Sequence, residues 1–294
     1  MSKFKSVGLV GRLGSEAAYY SLQRLMAFLR KRQITAHIDE ETAEAVPRSG
    51  LNQVPRDKLR HECDLVIVVG GDGSLLGMAR CLVGSDVPLL GINRGRLGFL
   101  TDISPEEIER KVGAVLDGEY RDDRRFLIDG LVMRDGHCIG QSTALNDVVL
   151  HPGQFIRMIE FDLFIDEQYV YRQRSDGLII STPTGSTAYA LSGGGPIMYP
   201  SLDAIEMVPM NPHNLSSRPI VVNGGAAIRM VIGDQRDVRP IVTFDGQTHI
   251  VTHEGDEVLI NKCPSSLRLI HPKGHNFYEI CRNKLGWERD AQKL

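Results

Sequence analysis

Apolar runs alternate with amphipathic stretches over the first 118 residues of the chain. The run 65–69, Leu-Val-Ile-Val-Val, has no polar position, which is typical of a strand buried on both faces of a parallel sheet. The predicted strands cover residues 6–10, 34–38, 65–69 and 87–92. The predicted helices cover residues 16–32, 74–83 and 105–117. This alternation predicts an α/β domain with a parallel sheet, whereas residues 39–62 show no readable pattern.

The last of these helices carries its own boundary signals. Ser104 is suited to cap it, Pro105 fits its first turn, and Glu107 completes a capping box with Ser104. An apolar face follows along the segment, and Gly118 predicts its end. These signals make the segment 105–117 the best marked helix of the chain.

Strand signals dominate from residue 126 onward, after a polar run at 119–125 that we interpret as a linker. Three residue pairs between apolar segments predict tight turns: Asp135-Gly136, Asp166-Glu167 and Asp245-Gly246. The predicted strands cover residues 131–133, 138–139, 159–165, 169–171, 218–223, 226–232, 240–244, 248–252 and 257–261. Such short strands joined by turns predict a mostly antiparallel arrangement.

These patterns predict three parts of the chain. The α/β domain covers residues 1–125 and carries the chemistry-bearing glycines described below. A mostly antiparallel β-rich domain covers residues 126–270. The charged C-terminal segment, 271–294, forms either a tail or a helix that packs back on the first domain.

Composition and charge narrow the possible function classes. Of the 294 residues, 42% are hydrophobic and 24% are charged, as expected of a globular protein. The formal net charge is −3 and no basic run occurs, which argues against nucleic acid or a membrane as a partner. Five widely spaced cysteines without a C-x-x-C motif favour a reducing compartment. With no signal-peptide or membrane-spanning pattern, we expect a cytoplasmic protein.

The most informative stretch follows the strand at 65–69 and reads Gly70-Gly71-Asp72-Gly73-Ser74. Ligands of open α/β sheets bind at the carboxyl ends of strands, where glycines let a phosphate approach backbone N–H groups. A helix starting near Ser74 would direct its positive end at that phosphate. Asp72 either caps this helix, holds Mg²⁺ or takes a proton from an attacking hydroxyl. The sequence lacks G-x-x-x-x-G-K-[ST], H-R-D and D-F-G, which excludes P-loop enzymes and protein kinases.

Two later stretches also carry candidate chemistry. Asn146-Asp147 lies at the start of an apolar strand and is either a turn or a donor and acceptor pair suited to ribose hydroxyls. The stretch 174–196 ends a strand in a series of hydroxyls and glycines around Tyr189. That composition suits the wall of a ligand site, with an aromatic ring for stacking on a base.

Cationic residues near these stretches allow two readings. Arg157 and Arg174 either pair with phosphates or lie on a solvated strand face, and the sequence alone favours neither. The nine histidines are interpreted as structural or surface residues, with His213 as the one of interest.

Taken together, these motifs resemble those of the bacterial NAD kinases. The resemblance rests on Gly70-Gly71-Asp72-Gly73, on Asn146-Asp147 and on the Thr/Gly/Ser-rich stretch 176–189, in the order and spacing of that family. Gly-Gly-Asp-Gly alone is weak evidence, because phosphofructokinases and diacylglycerol-type lipid kinases carry similar stretches. The long Thr/Gly/Ser-rich stretch is specific to the NAD kinases and decides the resemblance. Segments 217–220 and 244–247 look like further family features.

The resemblance implies phosphoryl transfer from ATP to the adenosine-ribose 2′-hydroxyl of NAD, which gives NADP and ADP, with Asp72 as the general base. It implies an α/β domain followed by a β-rich domain, with the end of the chain returning to the first. It also implies a homo-oligomer, dimer or tetramer, whose sites draw residues from a neighbouring subunit. Mg²⁺ or another divalent ion would accompany ATP.

The resemblance also assigns the site residues. Those that would contact NAD are Asp72, Gly73, Asn146, Asp147, Arg157, Arg174, Asp176, Thr187, Ala188, Tyr189, Ala190, Leu191, Ser192 and Gln247. The residues expected to bind phosphate are Gly70, Gly71, Gly73 and Ser74.

Two other function classes stay open at the level of the sequence. A lipid or sugar kinase with the Gly-Gly-Asp-Gly fold would carry a basic or apolar membrane-facing patch, which the sequence does not show. A non-catalytic NAD-binding regulator would bind NAD without an ATP-dependent product and would have little use for Asp72.

Overall fold

The computed structural model of the chain describes residues 2–12, 14–46, 49–94, 97–154, 157–234 and 238–287. The chain divides into two compact units. The first unit combines Met1–Arg124 with Leu267–Leu294, and the second unit is Arg125–Ser266. The first unit is therefore discontinuous in sequence. The chain leaves it after Arg124 and returns to it at Leu267, and both points lie inside long strands, Tyr120–Arg134 and Glu257–Pro272. Within the described ranges, no helix is long and apolar enough to cross a membrane.

The secondary structure alternates up to residue 116 and is mostly strand afterwards. The strands are β1 (Ser6–Gly11), β2 (Thr35–Asp39), β3 (Asn52–Val54), β4 (Leu65–Val69), β5 (Leu89–Ile92), β6 (Tyr120–Arg134), β7 (His137–Ala144), β8 (Asp147–His151), β9 (Ile159–Ile165), β10 (Gln168–Ser175), β11 (Gly177–Ser181), β12 (Ala204–Met210), β13 (Ile220–Asn223), β14 (Ile228–Ile232), β15 (Ile241–Phe244), β16 (Thr248–Val251) and β17 (Glu257–Pro272). The α-helices are α1 (Glu16–Lys31), α2 (Glu40–Ala45), α3 (Leu59–Glu62), α4 (Asp72–Leu82), α5 (Gly113–Leu116), α6 (Tyr189–Ser192) and α7 (Phe277–Leu285).

A parallel sheet forms the centre of the first unit. Its strand order is β17–β5–β4–β1–β2–β3, and β17 joins it through Leu269 opposite Leu89. All of its strand pairs are parallel. All five residues of β4 are buried, as the unbroken apolar run predicted. Leu22, Leu25 and Leu29 of α1 pack into the core that this sheet builds.

Helix α7 follows the returning strand and belongs to the first unit. The side chain of Asn276 caps it by accepting hydrogen bonds from the N–H groups of Tyr278 and Glu279. Gly286, with φ of +73°, ends it in the left-handed conformation that glycine adopts without strain. The C-terminal segment therefore contains a helix, while residues 288–294 of that prediction lie outside the described residues.

Antiparallel strands build the second unit. One sheet has the order β13–β12–β11–β8–β15–β16, and every pair in it is antiparallel. Strands β10, β9, β14 and the N-terminal part of β17 form another antiparallel series, and β6 pairs with β7 as a hairpin. Side chains such as Phe161, Ile180 and Phe244 share one buried core. The fold class is thus the predicted one, an α/β unit and an antiparallel β-rich unit.

The three predicted tight turns are confirmed by their backbone angles. The φ angles are +49° and +77° at Asp135-Gly136, +49° and +60° at Asp166-Glu167, and +51° and +62° at Asp245-Gly246. Positive φ at both central residues is the conformation of the hairpin turn whose twist matches the flanking strands. Asp and Gly accept this conformation more readily than most residues.

Two expectations about local structure are wrong. Residues 120–125 are the start of β6 instead of a linker, because charged strand residues find partners, as when Arg268 Nε donates to Asp122 at 2.8 Å. The segment after Ser104 is a 3₁₀ turn, a π-helix over Ile108–Val112 and only then α-helix. Helix α4, predicted over roughly 74–83, is present and covers Asp72–Leu82.

Other elements escaped the sequence patterns. Residues 39–62 contain α2, β3, a 3₁₀ turn at Arg56–Lys58 and α3, each too short to show a period. Strand β12 was also missed, because Glu206 and Pro209 interrupt its apolar run. Main-chain pairing on both sides of β12 holds it in its sheet.

Replacing Ile67 by alanine tests the buried central strand. Ile67 is fully buried in β4, so the variant loses contacts and leaves a cavity. We expect the free energy of unfolding to fall by about 2–5 kcal/mol, measured by urea unfolding with circular dichroism. Ile139→Ala is the matched control, since that side chain is 40% exposed, and it should change the free energy by less than about 0.5 kcal/mol. Equal losses in the two variants would contradict the burial of β4.

Candidate functional site

The glycine-rich turn at the end of β4 is shaped for the approach of a ligand. A Cβ at Gly70 would lie 2.6 Å from the Ser74 hydroxyl, so that side chain fills the space beside Gly70. A Cβ at Gly73 would meet no atom within 4 Å, and one at Gly71 would meet only Arg94, at 4.0 Å. The backbone of Gly71 and Gly73 therefore borders open space at the N-terminus of α4. This position suits an anion.

Asp72 lies at the first turn of α4 and is held by the segment that follows β5. Its Oδ2 accepts the N–H of Phe99 at 2.8 Å. Its Oδ1 accepts the N–H groups of Leu100 and Thr101, at 3.1 and 3.2 Å, and the Thr101 hydroxyl at 3.0 Å. The carboxylate thus joins the end of β4 to a loop 27 residues away. It does not act as the cap of its own helix, for which Gly71 is the N-cap residue.

The packing around Asp72 explains why glycine occupies position 98. A Cβ at Gly98 would overlap both the Asp72 carboxylate and the Thr101 hydroxyl. Among the described residues, Oδ1 accepts three hydrogen bonds, two of them from Thr101, and Oδ2 accepts one. Each carboxylate oxygen has two lone pairs. Oδ2 therefore has a second lone pair that no described residue uses, and it can accept a further donor.

Two arginines next to the glycine turn were not found from the sequence. Arg12 follows β1 and donates its N–H to the carbonyl of Val69 at 3.1 Å. Its Cβ lies 3.7 Å from the position that a Cβ would take at Gly70. Arg94 follows β5, and both side chains are exposed. Their positions after neighbouring parallel strands were the signal that could have found them.

In the second unit, Asp245 holds the backbone of the Asn146-Asp147 pair. Its carboxylate accepts the N–H groups of Leu145, Asn146 and Asp147, at 3.1, 2.7 and 3.3 Å. Asp245 itself lies in a hairpin turn with positive φ. The sequence identified Asp245 as a turn residue but gave no sign of this contact, which joins positions about 100 residues apart.

A cavity of about 760 Å³ opens beside this pair in the second unit. The predicted NAD-contacting residues that line it are Asn146, Asp147, Arg157, Asp176, Ala188 and Tyr189. Other lining residues include His151, Thr243 and Asp245. Within the described residues, the buried Oδ1 of Asn146 makes no hydrogen bond. Since buried polar atoms are nearly always paired, this oxygen is an acceptor ready for a ligand hydroxyl.

Burial changes the protonation of two residues that line this cavity. Burial, and then the nearby charge of Asp245, raise the pKa of the Asp147 carboxyl to about 7. Burial also lowers the pKa of His151, whose ring lies beside the N–H of Gly153. The cavity wall therefore carries a carboxyl group that changes charge near neutral pH.

Residues at the start of the stretch 182–192 lie against the segment that carries the Asn146-Asp147 pair. Thr182 donates its hydroxyl to the carbonyl of Leu145 at 2.5 Å. A Cβ at Gly185 would overlap the Asn146 carbonyl, so glycine is required where the two segments meet. Tyr189 is 47% exposed, whereas Ala190 is fully buried. Tyr189 can therefore meet a ligand, and the Ala190 side chain packs against the sheet.

Some predicted NAD-contacting residues do not line this cavity. Arg174 lines a different cavity of about 510 Å³, together with His213, Ser217 and Arg218. The N–H of His213 donates to the carbonyl of Arg174 at 3.0 Å. The exposed Gln247 follows the lining residues Asp245 and Gly246, and Thr187, Leu191 and Ser192 also lie outside the lining set. The structure thus separates Arg174 from Asp176, two positions away in the chain.

Family models and curated relatives match this chain over nearly its whole length. The model of the ATP-NAD kinase N-terminal domain matches residues 7–120, and that of the ATP-NAD kinase C-terminal domain matches residues 145–272. The NAD kinase of Saccharophagus degradans is 62% identical over 287 residues, which cover 98% of both chains. The NAD kinase of Teredinibacter turnerae is 58% identical with the same coverage.

Two solved structures are similar to the whole chain. An NAD kinase from Archaeoglobus fulgidus in complex with ATP gives a TM-score of 0.73 at 26% identity, over 97% of this chain and 98% of that one. Yeast NADH kinase complexed with NADH gives a TM-score of 0.88 at 24% identity, over 97% of this chain and 91% of that one. The second likeness concerns the fold alone.

Asp147→Asn should change how stability depends on pH. The folded chain keeps the Asp147 proton up to a pH of about 7, whereas an ordinary Asp carboxyl, with a pKa of 3.8, has lost it. Wild-type stability therefore falls between those pH values, by up to about 1.4 kcal/mol per pH unit from this group. The asparagine variant lacks this loss and gains stability relative to wild type as pH rises. Urea unfolding at pH 4.5 to about 8 measures this difference.

Gln168→Ala is the control for this titration, because it changes an exposed side chain at the start of β10 and removes no titratable group. Its free energy of unfolding should follow the wild-type pH profile. If Asp147→Asn also follows that profile, the Asp147 carboxyl is ionised in the folded chain and the assignment is wrong.

Proposed function

The chain belongs to the ATP-NAD kinase family, and on this premise we propose that Asp72 is the general base of its reaction. The activity is the phosphorylation of NAD by ATP, which gives NADP and ADP. The proposed acceptor is the 2′-hydroxyl of the adenosine ribose. The observation that carries the role of Asp72 is its carboxylate, fixed by four hydrogen bonds but with an acceptor position left on Oδ2.

A fixed carboxylate suits the chemistry of this transfer. A ribose hydroxyl is too weak an acid to ionise near pH 7, so its proton must leave as the phosphorus–oxygen bond forms. Backbone N–H groups hold Asp72 in place, and the carboxylate need not reorganise when the hydroxyl arrives. Oδ2 would accept the hydroxyl proton through its remaining acceptor position.

We propose that NAD contacts the cavity of the second unit. The buried Oδ1 of Asn146 offers an acceptor for a ribose hydroxyl, and Asp147 lies next to it. Tyr189 offers an exposed ring for stacking. The cavity volume of about 760 Å³ lies within the range of nucleotide-sized sites. Gly73, Arg157, Asp176, the segment 187–192 and Gln247 remain proposed NAD contacts.

The ATP phosphates are proposed to approach the turn Gly70–Ser74. The open side of Gly71 and Gly73 and the start of α4 support this placement. Among the described residues, the group of His, Cys, Asp and Glu side chains close enough to hold a metal contains two histidines and one aspartate. Such a nitrogen-rich set does not suit Mg²⁺, which prefers oxygen ligands. Mg²⁺ is therefore proposed to be held by the ATP phosphates, where it neutralises their charge.

Self-association as a homo-oligomer, dimer or tetramer, is also proposed. Arg174 is proposed to contact NAD, yet it lines a different cavity from Asn146 and Asp176. Contact with the NAD of a neighbouring copy would reconcile the two positions. A cytoplasmic location is proposed because all five cysteines are free thiols, as in a reducing compartment.

One coupled assay tests the activity against its rivals. The chain is incubated with ATP, Mg²⁺ and NAD, and NADP is detected with an NADP-specific dehydrogenase. We expect ATP-dependent formation of NADP. A lipid or sugar kinase would consume ATP without forming NADP, and a regulator would bind NAD without consuming ATP.

Asp72→Asn should lower kcat by about 10²–10⁴-fold while leaving the Kd for NAD unchanged. The amide cannot remove the hydroxyl proton, but it keeps most of the shape of the side chain. Because the asparagine NH₂ group cannot accept a hydrogen bond, the variant loses at least one hydrogen bond from a backbone N–H of the loop 99–101. The melting temperature is therefore measured together with the kinetics and with NAD binding by calorimetry. Turnover close to that of the wild type would refute Asp72 as the base.

Thr101→Val is the matched control for that variant. It removes the hydroxyl that donates to Oδ1 of Asp72 but leaves the carboxylate in place. A general base predicts a much smaller loss of kcat in Thr101→Val than in Asp72→Asn. If the two variants lose kcat by the same factor and have the same melting temperature, the only role of Asp72 is to hold the loop 99–101 in place.

Asn146→Ala should raise KM for NAD by about tenfold or more, because a hydrogen bond to a ribose hydroxyl is lost. The KM for ATP should stay unchanged. Asn52→Ala is the control, since Asn52 lies on β3 with its side chain exposed toward His37. An unchanged KM for NAD in Asn146→Ala would mean that Asn146-Asp147 is only a turn.

A further inference from the structure

A cluster of one carboxylate and two imidazoles lies in the first unit, outside the proposed NAD and ATP contacts. Nδ1 of His275 lies 2.7 Å from Oδ2 of Asp102, and Nδ1 of His271 lies 3.1 Å from the same oxygen. The two imidazole rings are stacked with their centroids 3.9 Å apart. The exposed fractions of the three side chains are 9% for Asp102, 1% for His271 and 4% for His275.

The donor atoms match what a divalent transition metal requires. One ligand atom from each of the three side chains lies within 4.8 Å of the other two. A tetrahedral zinc ion with bonds of about 2.0–2.1 Å holds its donor atoms about 3.3 Å apart. The two Oδ2–Nδ1 distances, 3.1 Å to His271 and 2.7 Å to His275, are shorter than this by about 0.2 and 0.6 Å, so outward movements of this size would admit an ion. Imidazole and carboxylate are ordinary zinc ligands.

The free oxygen of Asp102 is a second observation that points to a cation. Within the part of the chain that the structure describes, Oδ1 of Asp102 is buried and makes no hydrogen bond. A buried carboxylate oxygen without a donor is costly, and a cation beside it would remove that cost. The same carboxylate could then bind through both oxygens.

Asp123 lies near the other ring nitrogen of His271. Its Oδ2 is 3.6 Å from Nε2, the ring nitrogen opposite the proposed ligand atom, and an approach of a few tenths of an ångström would bring the two atoms within hydrogen-bond distance. Histidines that bind metals through one nitrogen commonly present the other N–H to a carboxylate, which fixes the orientation of the ring. The chain thus supplies both a set of ligand atoms and an orienting group.

The cluster is also accessible to an ion. A cavity of about 260 Å³ in the first unit is lined by Asp102 and His275 and by polar residues such as Glu107, Asn276 and Glu279. The sequence spacing His271-x-x-x-His275 is one that brings two metal ligands together, although our interpretation of the histidines as structural passed over it. An ion could enter through this cavity.

We propose that Asp102, His271 and His275 bind one divalent transition-metal ion of the zinc type. This ion is separate from the Mg²⁺ that accompanies ATP. Asp102 directly follows Thr101, whose N–H and hydroxyl hold Asp72. The ion would therefore fix one end of the segment 99–102 against the returning strand β17.

The test is metal binding by the full chain after removal of metals with a chelator. Titration calorimetry with Zn²⁺ and the visible absorption of added Co²⁺ measure affinity, stoichiometry and coordination geometry. We expect one tight ion per chain, a four-coordinate Co²⁺ spectrum, and a rise of the melting temperature with Zn²⁺ that an equal concentration of Mg²⁺ does not produce.

Variants assign the binding to these residues. His275→Gln and Asp102→Asn should weaken Zn²⁺ binding by more than about 100-fold, and Asp123→Asn by about 10–100-fold, as expected for an orienting group. His249→Gln, which alters an exposed histidine on β16, should bind as the wild type does. Circular dichroism of the metal-free variants checks that each one is folded.

Two results would overturn the proposal. One is that the metal-free wild-type chain takes up no Zn²⁺ or Co²⁺ beyond what a histidine-poor control protein takes up. The other is that folded His275→Gln and Asp102→Asn variants bind as tightly as His249→Gln does. In either case the cluster is a hydrogen-bonded clamp between Asp102 and the two histidines, without a metal.

Discussion

In each unit, one carboxylate accepts hydrogen bonds from three successive backbone amides. The positions of the neighbouring polar side chains depend on this contact. Asp72 binds the amides of residues 99–101, and Asp245 binds those of residues 145–147. Hydrogen bonds to an ionised group are stronger than those between neutral groups, and three of them fix a loop that has no ladder of its own. Gly98, Thr101 and Asp102 in the first unit, and Asn146 and Asp147 in the second, owe their positions to these two contacts.

The sequence revealed those features that depend on neighbouring residues. Strand β4, the three hairpin turns and the glycine turn before Asp72 all follow from local composition, and each lies where it was predicted. The amide contacts of Asp72 and Asp245 span about 27 and 100 residues, so no local pattern announces them. Local signals also misled in one place, where Ile108–Val112 is a π-helix although Ser104 and Glu107 resembled the capping box of an α-helix. The separation of Arg174 from Asp176 depends on the path of β10 and β11, which the sequence does not give.

Two polar groups that line the cavity of about 760 Å³ lower the stability of the second unit but suit that cavity to a ligand. Asp147 is buried beside a second carboxylate, and the Asn146 oxygen is buried without a hydrogen-bond donor among the described residues. Each feature costs free energy in the folded chain. A ligand that donates hydrogen bonds to them would recover part of that free energy on binding. Unfavourable burial of this kind is expected where a protein holds polar groups in position for a ligand.

The discontinuity of the first unit has a consequence for the order in which the chain folds during synthesis. One side of β5 pairs with β17 at Leu269, yet that residue leaves the ribosome some 180 positions after Leu89. Until then, most of that side of an apolar strand lacks its partner, and such an edge readily pairs with other chains. The whole second unit emerges in the meantime and has time to form its own sheets. Strand β17 thus completes a sheet whose other strands, β1 to β5, are synthesised well before it.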